Sequence, residues 1–262
     1  VAALPDGLRL AAALLLVAVL MRPQSSRSAD RIRHEGIDIV LAIDLSDSME
    51  QPDFTPNRLQ AAKEVVDEFI ALRPRDRIGV VAFGAHASTV APLTTDHDVL
   101  RRLVASLRLR VMDGSLTAIG AGLGVALNRL ADSEAESKVV VLLTDGMHNA
   151  GGLDPDSAAA EAAERGVIVY TVLMGRRRGL GAGSVDPAQL ERIARTTGGA
   201  AYTAENRETL RTSFQDLLDR LERSAIEGRQ IRAELFLWLL WPAFVLLLLD
   251  VALRTTRLRR FP

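Results

Sequence analysis

The chain has no cysteine, which excludes disulfides, zinc–thiolate centres and thiol catalysis and leaves the redox compartment open. Histidine is scarce, with 4 in 262 residues. His34, His86, His97 and His148 stand singly, without H-E-x-x-H or any other zinc spacing, and read as solvated loop residues. An excess of one charge is also missing: 32 Lys+Arg against 33 Asp+Glu leave a formal net charge of −1. There is therefore no global basic field to recruit nucleic acid and no acidic tail that reads as disordered. No internal repeat is visible. A phosphate-binding loop is lacking too, because Gly120-x-Gly122-x-Gly124 lies in a helical stretch with no P-loop lysine and reads as close helix packing. The stretch most like low complexity is Arg176 to Ser184, RRRGLGAGS, whose arginines read as a solvated loop in preference to an anion site.

Long apolar runs, by contrast, are present. Leu235 to Leu253 reads LFLWLLWPAFVLLLLDVAL, and a helix of that length crosses a hydrocarbon core of roughly 30 Å. Trp238 and Trp241 lie near one end, and Arg254, Arg257, Arg259 and Arg260 follow the other, as at membrane interfaces. Asp250 falls near the arginine end and reads as a carboxylate at headgroup level, while Pro242 is a place for a kink. Leu10 to Met21 is a shorter apolar run followed by MRPQSS, which offers no small-x-small cleavage site, so an uncleaved anchor is expected. The chain opens with Val1, which an unusual start codon or a longer native N-terminus accounts for. The expected organisation is a membrane anchor over 1–22, a linker over 23–35, a domain over 36–205, a helical connector over 206–234, a transmembrane helix over 235–253 and a basic tail over 254–262.

Within that domain, short β-branched runs alternate with amphipathic stretches of helical period, the pattern of a doubly wound, mostly parallel α/β sheet. Ile37 to Ile43, Arg77 to Phe83, Lys138 to Thr144 and Val167 to Leu173 read as strands buried on both faces. Ser88 to Leu93 follows the second after a tight GAHA turn and reads as an antiparallel edge strand, where Pro92 is tolerable. Asn57 caps a helix expected through Leu72, Asp96 one through Leu107, and Asp186-Pro187 one through Thr197. Gly198-Gly199 closes the last, AAYTA is a final short strand, and Arg207 to Ala225 a charged helix.

The chemistry-bearing residues follow strand ends. Asp44-Leu45-Ser46-Asp47-Ser48 places a carboxylate and hydroxyls after the first strand, at the carboxyl edge where open α/β sheets bind ligands. In isolation D-x-S-x-S is weak, since Ser46 and Ser48 can simply cap backbone groups. The strand ending Leu143-Thr144-Asp145-Gly146 and Thr117 before the helix near Ala118 change the balance. Asp44, Ser46, Ser48, Thr117 and Asp145 are all oxygen donors, suited to a hard cation that keeps several waters. Two other readings stay open: Asp44 or Ser46 as nucleophile in metal-assisted phosphoryl transfer, and a purely structural metal in a membrane scaffold.

Together, D-x-S-x-S, a threonine before a helix and a strand ending in TDG resemble the metal-ion-dependent adhesion site of von Willebrand factor A (VWA) domains. EGIDIVLAIDLSDSM, DFTPNRLQAAKEVVDEFI, DRIGVVAFG, PLTTD, LLTDG and IARTTGG resemble bacterial aerotolerance membrane proteins of the BatA type, which carry a VWA domain between transmembrane helices. That resemblance implies a non-catalytic protein in which Asp44, Ser46, Ser48, Thr117 and Asp145 contact Mg²⁺ (or Mn²⁺ or Ca²⁺) directly or through water. It further implies a protein partner presenting a carboxylate, a MoxR-type AAA+ ATPase and other VWA membrane proteins as company, and a place in the bacterial inner membrane. The terminal arginines favour a periplasmic domain, against the pull of Arg22, Arg27, Arg31 and Arg33. The pattern is departed from at Asp47, where glycine is usual, at GSLTA, which has extra residues, and at Met147-His148-Asn149, where a more polar run is usual. Asp53 and Asn149 are expected at the rim, not among the ligands.

Overall fold

Successive side chains of a strand point to opposite faces, and here each face meets its own layer of helices. The computed structural model describes residues 24–25, 36–146, 148–175, 187–227, 233–234 and 236–256, with backbone alone at 24–25, 223–227, 233–234, 236–239, 250 and 253–256. The expected anchor over 1–22, most of the linker, Met147, the Arg176 to Ser184 loop and residues 257–262 of the basic tail lie outside them. The strands are β1 (Gln24–Ser25), β2 (Asp38–Asp44), β3 (Arg77–Phe83), β4 (Ala87–Thr94), β5 (Lys138–Thr144), β6 (Val167–Met174), β7 (Ala201–Ala204) and β8 (Ala233–Glu234). The helices are α1 (Arg58–Ala71), α2 (His97–Ser106), α3 (Ile119–Leu130), α4 (Pro155–Glu164), α5 (Pro187–Thr196), α6 (Arg207–Glu227) and α7 (Phe236–Thr256).

Two compact units result, Arg33–Glu227 and, separately, Val1–Ile32 with Gly228–Pro262. In the first, a sheet runs in the order β4-β3-β2-β5-β6-β7, with β4 antiparallel and the other pairings parallel. β4 is the expected edge strand, and its register with β3 shifts between Ile78–Thr94 and Val80–Ala91, the interval that contains Pro92. Ile39, Leu41, Ile43, Val139, Val141 and Leu143 join α1, α2 and α6 in one buried cluster. Val40, Ala42, Val140 and Leu142 join α3, α4 and α5 in the other. Every residue of β2 is buried, as a central parallel strand requires.

Local signals set the helix starts. Asn57 accepts from the Gln60 N–H at 2.8 Å and Asp96 from the Val99 N–H at 3.0 Å. A helix absent from the sequence reading, α4, begins with the same kind of signal: Asp154 accepts from the Ser157 N–H at 2.9 Å, with Pro155 in the first turn. The GxGxG run is packing, as expected. A Cβ on Gly120 would sit 1.8 Å from the Leu153 carbonyl oxygen, and one on Gly122 would sit 2.9 Å from the Phe83 ring. Gly120→Ala must therefore push α3 off the Leu153 backbone, and a loss of about 1–3 kcal/mol is expected in a urea titration.

The unit extends through α6, past the boundary expected at 205, because Leu210, Phe214, Leu217 and Leu221 form a buried stripe against the sheet. In the other unit β1 pairs antiparallel with β8, and the span expected over 235–253 falls on α7. Trp241, Phe244, Val245, Leu248 and Val251 of α7 are exposed. Among the described residues no helix is long and apolar enough to cross a membrane.

Candidate metal centre

Strand order reverses between β2 and β5, and at such a switch point the loops leaving the carboxyl ends separate and open a crevice. Asp44 is the last residue of β2 and Asp145 the first after β5, so register alone brings the two carboxylates to one edge. Both are buried. Asp44 Oδ1 accepts from the Ser46 N–H at 2.8 Å and Oδ2 from the Thr144 hydroxyl at 2.7 Å. The Ser46 and Ser48 hydroxyls are 2.9 Å apart, and Ser46 makes no side-chain cap bond to the following 3-10 turn at Asp47–Glu50. The capping account of these serines is thereby removed for Ser46.

Thr117 is buried and joined to the β5 loop by a reciprocal pair: its N–H donates to Asn149 Oδ1 at 2.7 Å, and the Asn149 N–H donates to its carbonyl at 3.2 Å. Asn149 thus braces Thr117. The residues on either side of Thr117 are tied to the turn after β3, with the Ala85 N–H on the Asp113 carbonyl at 2.8 Å and the Ala118 N–H on the Gly84 carbonyl at 2.7 Å. The departures at Asp47 and GSLTA adjoin each other. The Asp47 N–H donates to the Gly114 carbonyl at 2.9 Å, and a Cβ on Gly114 would lie 2.9 Å from Asp47 Oδ1. Asp47 itself is exposed, so its charge stands at the rim.

A cation that sequence reasoning did not place here lies beside Asp145. Arg58, the first residue of α1, donates from Nη1 to Asp145 Oδ2 at 3.0 Å. Its Nε and Nη2 grip Asp53 at 2.8 and 2.6 Å, and Nη2 also reaches Gln51 Oε1 at 3.0 Å. These donors are committed to carboxylates and an amide, so Arg58 is not aimed at a phosphate. The signal that could have found it is the helix itself, since a cation in a first turn opposes the macrodipole and calls for a compensating anion.

Electrostatically the site is short of positive charge. The Asp44 carboxyl is pushed up to about 7, first by burial and then by Asp145, and its bonds to Ser46 and Thr144 reduce the shift without cancelling it. Burial also raises Asp145, against the pull of the Ser48 hydroxyl and Arg58. Ser48 is close enough to lower that pKa, while the buried Asp145 Oδ1 has no hydrogen-bond partner. Among the described residues no three His, Cys, Asp or Glu side chains form a metal-holding group. The oxygen groups at this edge are two carboxylates with hydroxyls nearby, a set that suits a hard, partly hydrated cation. Near neutral pH a divalent ion would supply the charge that Arg58 alone does not.

The family profile of the von Willebrand factor type A domain matches residues 38–216. An uncharacterized protein of Borreliella burgdorferi is 32% identical over 259 residues, covering 90% of this chain and 74% of the relative. A UPF0353 protein of Mycolicibacterium gilvum is 30% identical over 220 residues, covering 76% of this chain and 64% of its own length. The chain thus spans between 64% and 74% of the length of these two relatives. Among solved structures, the conserved hypothetical protein BatB from Bacteroides thetaiotaomicron superposes with a TM-score of 0.64 at 23% identity, over 72% of this chain and 100% of that one. Proximal thread matrix protein 1 from the mussel byssus, solved with a zinc-occupied MIDAS motif, superposes with a TM-score of 0.60 at 22% identity, over 72% of this chain and 46% of that one. These two likenesses concern the fold. On the profile match, the chain belongs to the von Willebrand factor type A domain family.

Proposed function

We propose that this chain is a membrane-anchored interaction protein that binds a protein partner through a divalent metal, Mg²⁺ in the first instance, held by Asp44, Ser46, Ser48, Thr117 and Asp145. The observation that carries this reading is the buried Asp145 Oδ1 without a partner, beside a second buried carboxylate at the sheet's switch point. A buried acceptor left unsatisfied costs about 1–3 kcal/mol unless a cation or water meets it. Thr144 and the Ser46 N–H orient Asp44, Asn149 braces Thr117, and Arg58 holds the other oxygen of Asp145. Those residues would hold the ion, and its charge would attract a partner's carboxylate, an attraction strengthened by partial desolvation.

The apolar run at 235–253 and the run at Leu10 to Met21 are the membrane anchors of this reading, with the domain on the periplasmic face of a bacterial inner membrane. BatB and the mussel protein lend the analogy of a VWA fold, and for the latter a metal in its motif. A MoxR-type ATPase and other VWA membrane proteins are the partners the family resemblance proposes, in stress tolerance or envelope-protein maturation.

Affinity purification from native membranes with mass spectrometry tests the mechanism. A defined partner is expected with wild type in Mg²⁺ and is expected to vanish both in chelator and with folded Asp44→Ala. Retention of the same partners in both samples would rule out recognition through the metal.

A further inference from the structure

Arginine offers a rigid planar fork, so the groups it grips are held in orientation as well as in charge. The Arg58 side chain is only 7% exposed, and its fork spans Asp53, Gln51 and Asp145 Oδ2. Bare backbone lies against the guanidinium on another side: a Cβ on Gly175 would come within 2.6 Å of Nη2 and 2.9 Å of Cζ, and the residue's φ of +129° itself favours glycine. These contacts fix the guanidinium, and through its Nη1 they orient Asp145. One carboxylate oxygen is held by Arg58, and the other, Oδ1, is buried and unpartnered.

Cations differ in how they use such a carboxylate. Ca²⁺ gathers about 6–8 oxygens in a flexible shell and readily takes both oxygens of one carboxylate, whereas Mg²⁺ demands octahedral geometry and keeps water in place of extra protein ligands. Competition by Arg58 for the second oxygen of Asp145 penalises Ca²⁺ more than Mg²⁺. We propose that Arg58 is a specificity-determining residue that biases this site toward small octahedral cations of the Mg²⁺ or Mn²⁺ class over Ca²⁺, by competing for one of the two oxygens of Asp145. This rests on the metal-site reading above.

Calorimetric titration of the full chain in detergent with Mg²⁺ and with Ca²⁺ tests it, on wild type, Arg58→Met, Arg58→Lys and Asp53→Asn. Loss of one positive charge strengthens the attraction for both divalent ions alike, so the ratio of the two dissociation constants isolates the fork from the charge. Wild type is expected to prefer Mg²⁺. In Arg58→Met that preference narrows by about tenfold, the scale on which groups behind a metal ligand act. Arg58→Lys, which keeps the charge without the fork, narrows it too, and Asp53→Asn, which loosens the fork's anchor, shifts it the same way by less. A ratio unchanged in the Arg58 variants, or in Asp53→Asn should those fail to fold, overturns the assignment. A wild type that binds both ions without preference overturns it as well and leaves the metal site standing; a wild type that binds neither ion overturns both.

Discussion

Asp44→Asn is expected to stabilise the domain in chelator at pH 8 while abolishing its stabilisation by Mg²⁺. The ordinary carboxyl value of 3.8 applies to the unfolded chain, and in the fold Asp44 is pushed up to about 7 by burial and by Asp145. Between those values the folded state holds a proton that the unfolded state has released. Stability from this group is therefore highest below the unfolded value, falls as pH rises through the window and levels off above about 7. The full loss is at most ~4 kcal/mol. Asparagine cannot ionise, so the variant should track wild type near pH 3 and exceed it by about 2–4 kcal/mol at pH 8 without metal. With Mg²⁺ at about a hundred times its dissociation constant the gap narrows, because wild type gains ~2.7 kcal/mol and the variant gains little. Urea titrations at pH 3, 5.5 and 8, with and without Mg²⁺, check both halves. A wild-type profile flat in chelator across that range would mean that Asp44 is not the strained group.

The strands and the positions of both carboxylates were legible because they depend on short-range pattern. β-branched runs bounded by turns define β2, β3, β5 and β6, and an aspartate at the end of β2 or β5 reaches the same edge whatever covers the sheet. The partners of those carboxylates were less legible. Arg58 lies 87 residues from Asp145 in sequence, and Thr144 lies 100 from Asp44, so nothing local announces either bond. Asn149 was expected at the rim, yet its reciprocal bonds with Thr117 appear only once the β5 loop meets the turn before α3. α6 was read as a connector because Arg207, Glu208, Arg211, Asp219 and Arg220 dominate its composition, which hides the apolar stripe at positions 210, 214, 217 and 221.

That stripe makes α6 a structural member of the domain, and Phe214→Ala measures how much depends on it. Phe214 is buried and meets Phe69 of α1 edge-on, with ring centroids 5.6 Å apart and planes at 77°. Such pairs contribute about 0.5–1.5 kcal/mol beyond the area they bury. Leu210, Leu217 and Leu221 flank it in the same cluster, and Tyr202 of β7 donates to Asp216 at 2.7 Å, joining the last strand to the helix. The surface pairs Arg207–Glu64 at 2.6 Å and Arg211–Glu68 at 3.1 Å also link α6 to α1, but exposed pairs of this kind are worth about 0–1 kcal/mol each. The packing therefore decides the outcome. Removing the ring leaves a cavity between α6 and α1, and a loss of about 3–5 kcal/mol is expected for the whole domain. Hydrogen exchange on the full chain separates this from a local effect. If α6 belongs to the cooperative unit, amides in β6, β7 and α1 exchange faster together with those of α6. A variant in which only α6 loses protection, at an unchanged denaturation midpoint, would return that helix to the role of a connector between the sheet and the segment that follows it.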